Sequence, residues 1–120
     1  MKSSKRDTVL YLDDIVLSMQ RIEEYLTGID FEQFKEDYKT ADAVIRNFEV
    51  IGEAAKNLPI TFKLQHPHIP WDEMYRLRNR ISHEYFGIDY EIIWNIAIHQ
   101  LPSNYKDLIH ILQAEKSRTE

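Results

Sequence analysis

The stretch RNRISHEY, residues 78–85, sets a guanidinium at Arg78, an amide at Asn79, an imidazole at His83 and a phenol at Tyr85 within eight positions. Such a group suits phosphodiester chemistry that needs no metal. An arginine offers a fork of donors that matches phosphate oxygens and stays charged throughout, so it can stabilise the added negative charge of the transition state. A histidine, with an ordinary pKa of about 6.5, accepts or donates a proton near neutral pH. RNA brings its own nucleophile, the 2′-hydroxyl. The same spacing also describes a plain solvated helix face, and periodicity alone does not separate the two.

These residues need a helix to place them. At about 100° per residue, Met74, Leu77 and Ile81 form a narrow apolar face, with Arg78, Asn79, Ser82 and His83 on a polar arc beside and behind it. Asn79 and His83 are four apart, which predicts that the amide orients the imidazole. Arg78 and Tyr85 are seven apart and share a face if the helix continues that far. The helix itself is expected over 71–83, between the proline-bearing connection LQHPHIPW and a break at Phe86 and Gly87.

The rest of the chain reads as helix too, because it has three glycines and four prolines and no sustained apolar–polar alternation. A first helix is predicted from about Asp7 to Gly28, with Leu12, Ile15, Met19, Ile22 and Leu26 as its apolar stripe. Asp30 is placed to cap a short turn carrying Phe31 and Phe34. A longer helix follows from near Lys39 to Leu58, stopping at Pro59, with Ala41, Val44, Phe48, Ile51 and Ala55 on its buried side. Its small residues Gly52, Ala54 and Ala55 permit close helix approach. Asp89 is a cap for a helix carrying Ile92, Ile93 and Ile96, and Pro102 kinks that helix or starts another. The polar tail after about residue 113 is expected to fray. The economical architecture is a single all-α domain over residues 1–120, an antiparallel bundle of four to five helices.

Composition narrows the function classes. Fifteen basic against twenty acidic residues give a net charge of −5, which argues against a broad basic nucleic-acid surface but not against a local site. Charges are screened over about 8 Å at physiological salt, so a phosphate on Arg78 feels that arginine far more than distant glutamates. The absence of cysteine excludes disulfides and thiolate zinc sites and suits a reducing cytoplasm. Asp13 and Asp14 interrupt the apolar run of the first helix, so no secretory segment is expected, and no stretch is apolar enough for a membrane span.

The string Arg78-Asn79-Arg80-Ile81-Ser82-His83-Glu84-Tyr85 resembles the R-x4-H-x-Y signature of HepT-like toxins in the HEPN superfamily. HEYFG continues the likeness, IGEAAKNLP at 51–59 resembles that family's central helix, and IPWDEMYRLRN resembles its lead-in to the signature. The resemblance implies an HEPN-like helical bundle, usually a homodimer, whose arginines and histidines gather at the interface. It implies a metal-independent ribonuclease acting on RNA as the toxin of a two-gene module, with a minimal nucleotidyltransferase as antitoxin. In that reading His83 transfers protons, Arg78 binds the scissile phosphate, and Asn79 holds the geometry. Tyr85 becomes the site where the antitoxin attaches adenylyl groups from ATP, placing a charged nucleotide where substrate belongs. No cofactor and no metal are called for. A rival of a different class is a non-catalytic helical partner of a nucleotidyltransferase, in which Arg78 and His83 only bind nucleotide.

Other side chains weigh less. Glu53 either orients Arg78 or is a solvated carboxylate near Lys56. His66 and His68 flank Pro67 without the carboxylates or thiols of a metal shell and read as loop contacts. His99 and His110 stand alone in helices. Arg76 and Arg80 extend an electropositive rim, or Arg80 simply pairs with Glu84.

Overall fold

The computed structural model describes residues 5–84 and 87–119, and within them the chain is helical without strands. The helices are α1 (Lys5–Leu26), α2 (Phe31–Glu36), α3 (Tyr38–Asn57), α4 (Ile60–Gln65), α5 (Trp71–His83), α6 (Tyr90–His99) and α7 (Leu101–Thr119). α1 lies between α3 and α7, α5 packs on α3, and α6 packs on α7. α2 bridges α3 and α6. The expected bundle is present, with α2 and α4 as short additions to its five longer helices.

Several boundaries follow from local chemistry. α1 ends at Leu26, and Gly28 takes φ +81°, a left-handed turn that glycine adopts without side-chain strain. Asp30 then forms a full capping box: its Oδ1 accepts from the Gln33 amide, and the Gln33 Oε1 accepts from the Asp30 amide, both at 2.9 Å. Asp37 caps α3 by accepting from the Thr40 hydroxyl at 2.7 Å and the Thr40 amide at 3.2 Å. Those bonds hold its carboxyl below the usual carboxylate range. Asp89 caps α6 through the Glu91 amide. Pro102 stands in the first turn of α7, where a missing amide hydrogen costs nothing.

The apolar stripes foreseen for α1 and α3 are buried throughout, and Met74 and Ile81 of α5 join them. Phe34 is fully enclosed, with its ring 5.4 Å from that of Trp94 and 5.7 Å from that of Tyr90. This contact fastens α2 to α6. Where the polar composition after residue 113 suggested fraying, α7 runs helical to Thr119. Glu115 is buried there and meets Arg118 at 3.3 Å, and Lys116 reaches across to Asp13 of α1 at 3.2 Å.

The connection from α4 to α5 is held by His66 and Trp71. The Trp71 indole donates to the His66 carbonyl at 3.0 Å, and the His66 ring lies 4.8 Å from Phe62. Burial, and then the neighbouring His68, lowers the His66 pKa below its ordinary value of 6.5, against a smaller opposing pull from Glu115. A depressed histidine pKa favours the neutral native form, so this contribution to stability is complete above about 6.5 and is lost as pH falls through the folded-state value. Thermal unfolding of wild type and His66→Gln, followed between about pH 7.5 and 5, is expected to show the wild type losing more of its midpoint than the variant.

Candidate active site

The site begins with a close helix crossing. Gly52 of α3 faces α5, and a Cβ built there would stand 2.3 Å from the Arg78 Cβ and 2.6 Å from the Met74 carbonyl oxygen. Only a residue without a side chain permits this approach. The backbone of α3 thus runs directly beneath Arg78 and sets where its side chain starts.

Two polar groups then fix where the guanidinium ends. Arg78 Nη1 donates to the Asn79 Oδ1 at 3.0 Å, and Arg78 Nη2 lies 3.1 Å from the Glu53 Oε2. That carboxylate oxygen is shut off from solvent and meets the arginine without hydrogen-bond alignment, so the pairing is one of charge. With the arginine and glutamate side chains 33% and 47% exposed, such a pair contributes on the order of 0–1 kcal/mol to folding. Its consequence is geometric. An arginine has five N–H donors, so two occupied corners leave donors for an anion arriving from the open side.

A further pair continues the seam. The Asn79 side chain, followed by Lys56 and Arg78, lowers the pKa of the Tyr75 phenol from the usual tyrosine value. Lys56 Nζ lies 5.4 Å from the centre of the Tyr75 ring. The pairs Glu53–Arg78 and Lys56–Tyr75 show that α3 and α5 run antiparallel here. Glu53, Arg78 and Asn79 therefore form one connected string across two helices. Asn79, expected to orient His83, is engaged with Arg78.

Arg78 opens onto a groove of about 240 Å³ between α1, α3 and α5. Tyr11 and Asp14 of α1 form one wall, and Arg46, Glu49 and Glu53 of α3 form another. His83, the last residue of α5, is exposed and is not among the groove's lining residues. Five helical steps separate it from Arg78 by about 140° around the axis. One chain thus assembles the arginine's surroundings but not the arginine and histidine together.

Residues 15–114 match the family described as Ribonuclease HepT-like. The chain belongs to the HepT-like family. It is 48% identical over 103 residues to a protein of Thermococcus cleftensis named "Probable ribonuclease HepT", covering 86% of this chain and 91% of that one. It is 45% identical over 109 residues to "Putative RNase MJ0127" of Methanocaldococcus jannaschii, covering 91% and 90%. "Putative RNase TTE0752" of Caldanaerobacter subterraneus is 41% identical over 106 residues, covering 88% and 95%. No solved structure matches.

In this HepT-like chain the sequence-predicted residues divide into three groups. Arg78, Asn79 and Glu53 come together; His83 stands apart on the surface; Tyr85, with Phe86, lies outside the described residues. Arg80 pairs with Glu84 at 2.7 Å, as its spacing allowed. His66 and His68 sit with ring centres 6.3 Å apart at the α4–α5 connection. Among the described residues no group of three or more metal-ligating side chains converges, and no helix is long and apolar enough to cross a membrane. Tyr75 and Arg46 carried no signal in the sequence, because their places depend on the register between α3 and α5.

Proposed function

We propose that this HepT-like chain is a metal-independent endoribonuclease that acts as the toxin of a toxin–antitoxin module, in the cytoplasm, with RNA bound on Arg78. The observation that supports this most is the Arg78 guanidinium, held from two sides by Asn79 and Glu53 while it faces an open groove. Family membership gives that geometry its chemistry. Arg78 neutralises the scissile phosphate. An imidazole removes the proton from the 2′-hydroxyl, the O2′–P bond forms, the P–O5′ bond breaks, and the departing O5′ takes up a proton. A single histidine is poorly suited to be base and acid in one step. A homodimer supplies His83 twice, and a histidine exposed at a helix end is free to reach a partner's groove. Tyr85 is the residue that a minimal nucleotidyltransferase antitoxin modifies with adenylyl groups.

The test has two arms. The purified chain is expected to cleave single-stranded RNA in EDTA and to leave a fully 2′-O-methylated strand of the same sequence intact. Cleavage of the methylated strand, or loss of all activity in EDTA, overturns the mechanism. Co-expression with a nucleotidyltransferase encoded beside it is expected to raise the intact mass by one or more adenylyl groups, and Tyr85→Phe to abolish the increase. An unchanged mass sinks the antitoxin assignment while leaving the nuclease.

A second reading is a non-catalytic helical partner of a nucleotidyltransferase, in which Arg78 and His83 only bind nucleotide; within one chain His83 stands outside the groove that holds Arg78, so the arginine and histidine are not assembled for catalysis there. The His83→Ala experiment discussed below separates the two.

A further inference from the structure

Arg46 has the marks of a cation kept available for a ligand. It lies on α3, exposed, and lines the same groove as Arg78. Asp14, Glu49 and Glu53 share that groove, yet among the described residues none comes within ion-pair distance of Arg46, whereas Glu53 is committed to Arg78. Glu49, three residues on along the same helix, is within reach of Arg46, yet the two do not pair.

The antiparallel register gives Arg46 a direction. Glu53 lies beside Arg78, and Lys56 beside Tyr75. Carried the other way along α3, that register sets Glu49 opposite Ser82 and places Arg46 just beyond the end of α5, which finishes at His83. Seven residues of helix put Arg46 about 10 Å beyond Glu53 along the α3 axis. A phosphate seated on Arg78 is therefore not the one Arg46 would meet. It would meet another on the same strand.

We propose that Arg46 is a second phosphate-binding residue, which grips a single RNA strand one or more nucleotides from the scissile linkage and on the His83 side of Arg78. This rests on the ribonuclease reading given above and adds a polarity to it: the strand follows the α3–α5 seam. The groove holds two guanidiniums against three carboxylates, so no long-range field draws RNA into it. Binding depends on direct guanidinium–phosphate contacts, and loss of one of only two is costly.

The experiment is a salt titration of binding, using the full chain and a fluorescein-labelled, 2′-O-methylated RNA octamer as probe. Arg46→Ala is compared with wild type, with Arg78→Ala, and with Lys106→Ala, which removes an exposed charge on α7 away from the groove. Circular dichroism checks each fold. Arg46→Ala is expected to weaken binding about tenfold at low salt. Its slope of log affinity against log salt should be shallower by about 0.7, the signature of one lost phosphate contact on a single strand. Arg46→Lys should keep the slope and recover part of the affinity, since a lysine is a point charge without the fork. If Arg46→Ala titrates like Lys106→Ala while Arg78→Ala is weakened, the Arg46 assignment is wrong and the nuclease reading stands. If Arg78→Ala also binds like wild type, or wild type does not bind the octamer, the groove is not the RNA site and both fall.

Discussion

His83→Ala is expected to slow RNA cleavage about 10²- to 10⁴-fold, the range that follows loss of a general acid–base group. The helical fold should survive, because His83 is exposed at the last position of α5 and the adjoining turn is closed by backbone bonds from the Glu84 amide to Arg80 and from the Gly87 amide to Glu84. A large kinetic loss in an unaltered circular dichroism spectrum would thus report chemistry and not unfolding. Affinity for the 2′-O-methylated octamer should change far less than the rate, since the phosphate contact belongs to Arg78. Mixing His83→Ala with Arg78→Ala gives a sharper readout. If the arginine and histidine of one reaction come from different copies, the mixture of two inactive variants should recover part of the activity. Full activity of His83→Ala in EDTA would remove the acid–base mechanism and favour the nucleotide-binding reading.

The order of helices was legible because most helices bury one stripe, and a buried stripe imposes its 3.6-residue period on the sequence. α4 shows the converse. Only Phe62 is buried in it, while Ile60 and Leu64 are each 71% exposed, so its apolar residues trace no inward face; no helix is read there from the sequence, and its last two residues, Leu64 and Gln65, are assigned to the connection LQHPHIPW. The polar end of α7 misled for a related reason. Its helix is held by Lys116 reaching Asp13, a partner about a hundred positions away that local composition cannot reveal.

The site shows the same division. Residue type and spacing singled out Arg78 and His83 alike, and the structure surrounds only Arg78, with Glu53 of IGEAAK beside it. The partner of Asn79 was not legible. Helical spacing favours a residue four positions on, yet an arginine side chain is long enough to fold back onto its immediate neighbour, and an amide oxygen gains from a hydrogen bond to a guanidinium that is always charged. Tyr75 and Arg46 needed the α3–α5 register, which is a tertiary fact.

Gly52→Ala pits two effects of known sign against each other. In an isolated helix alanine is favoured over glycine by about 1 kcal/mol. At this position its Cβ would stand 2.3 Å from the Arg78 Cβ and 2.6 Å from the Met74 carbonyl oxygen. Neither neighbour is the mobile end of a side chain, so relief requires α5 to move away from α3. Overpacking of this kind costs about 1–3 kcal/mol and occasionally more. The contact should win, with the unfolding midpoint falling by several degrees, on the order of 4 °C for each kcal/mol lost. Activity should suffer beyond that loss. Displacing α5 shifts the root of Arg78 relative to Glu53, and a misplacement of about 1 Å can cost roughly 10²-fold in rate. Measured well below the midpoint, where the variant is folded, cleavage should therefore drop far more than the folded fraction does. A Gly52→Ala protein more stable than wild type and equally active would mean that helix propensity prevails and that close packing of α3 on α5 does not set the arginine.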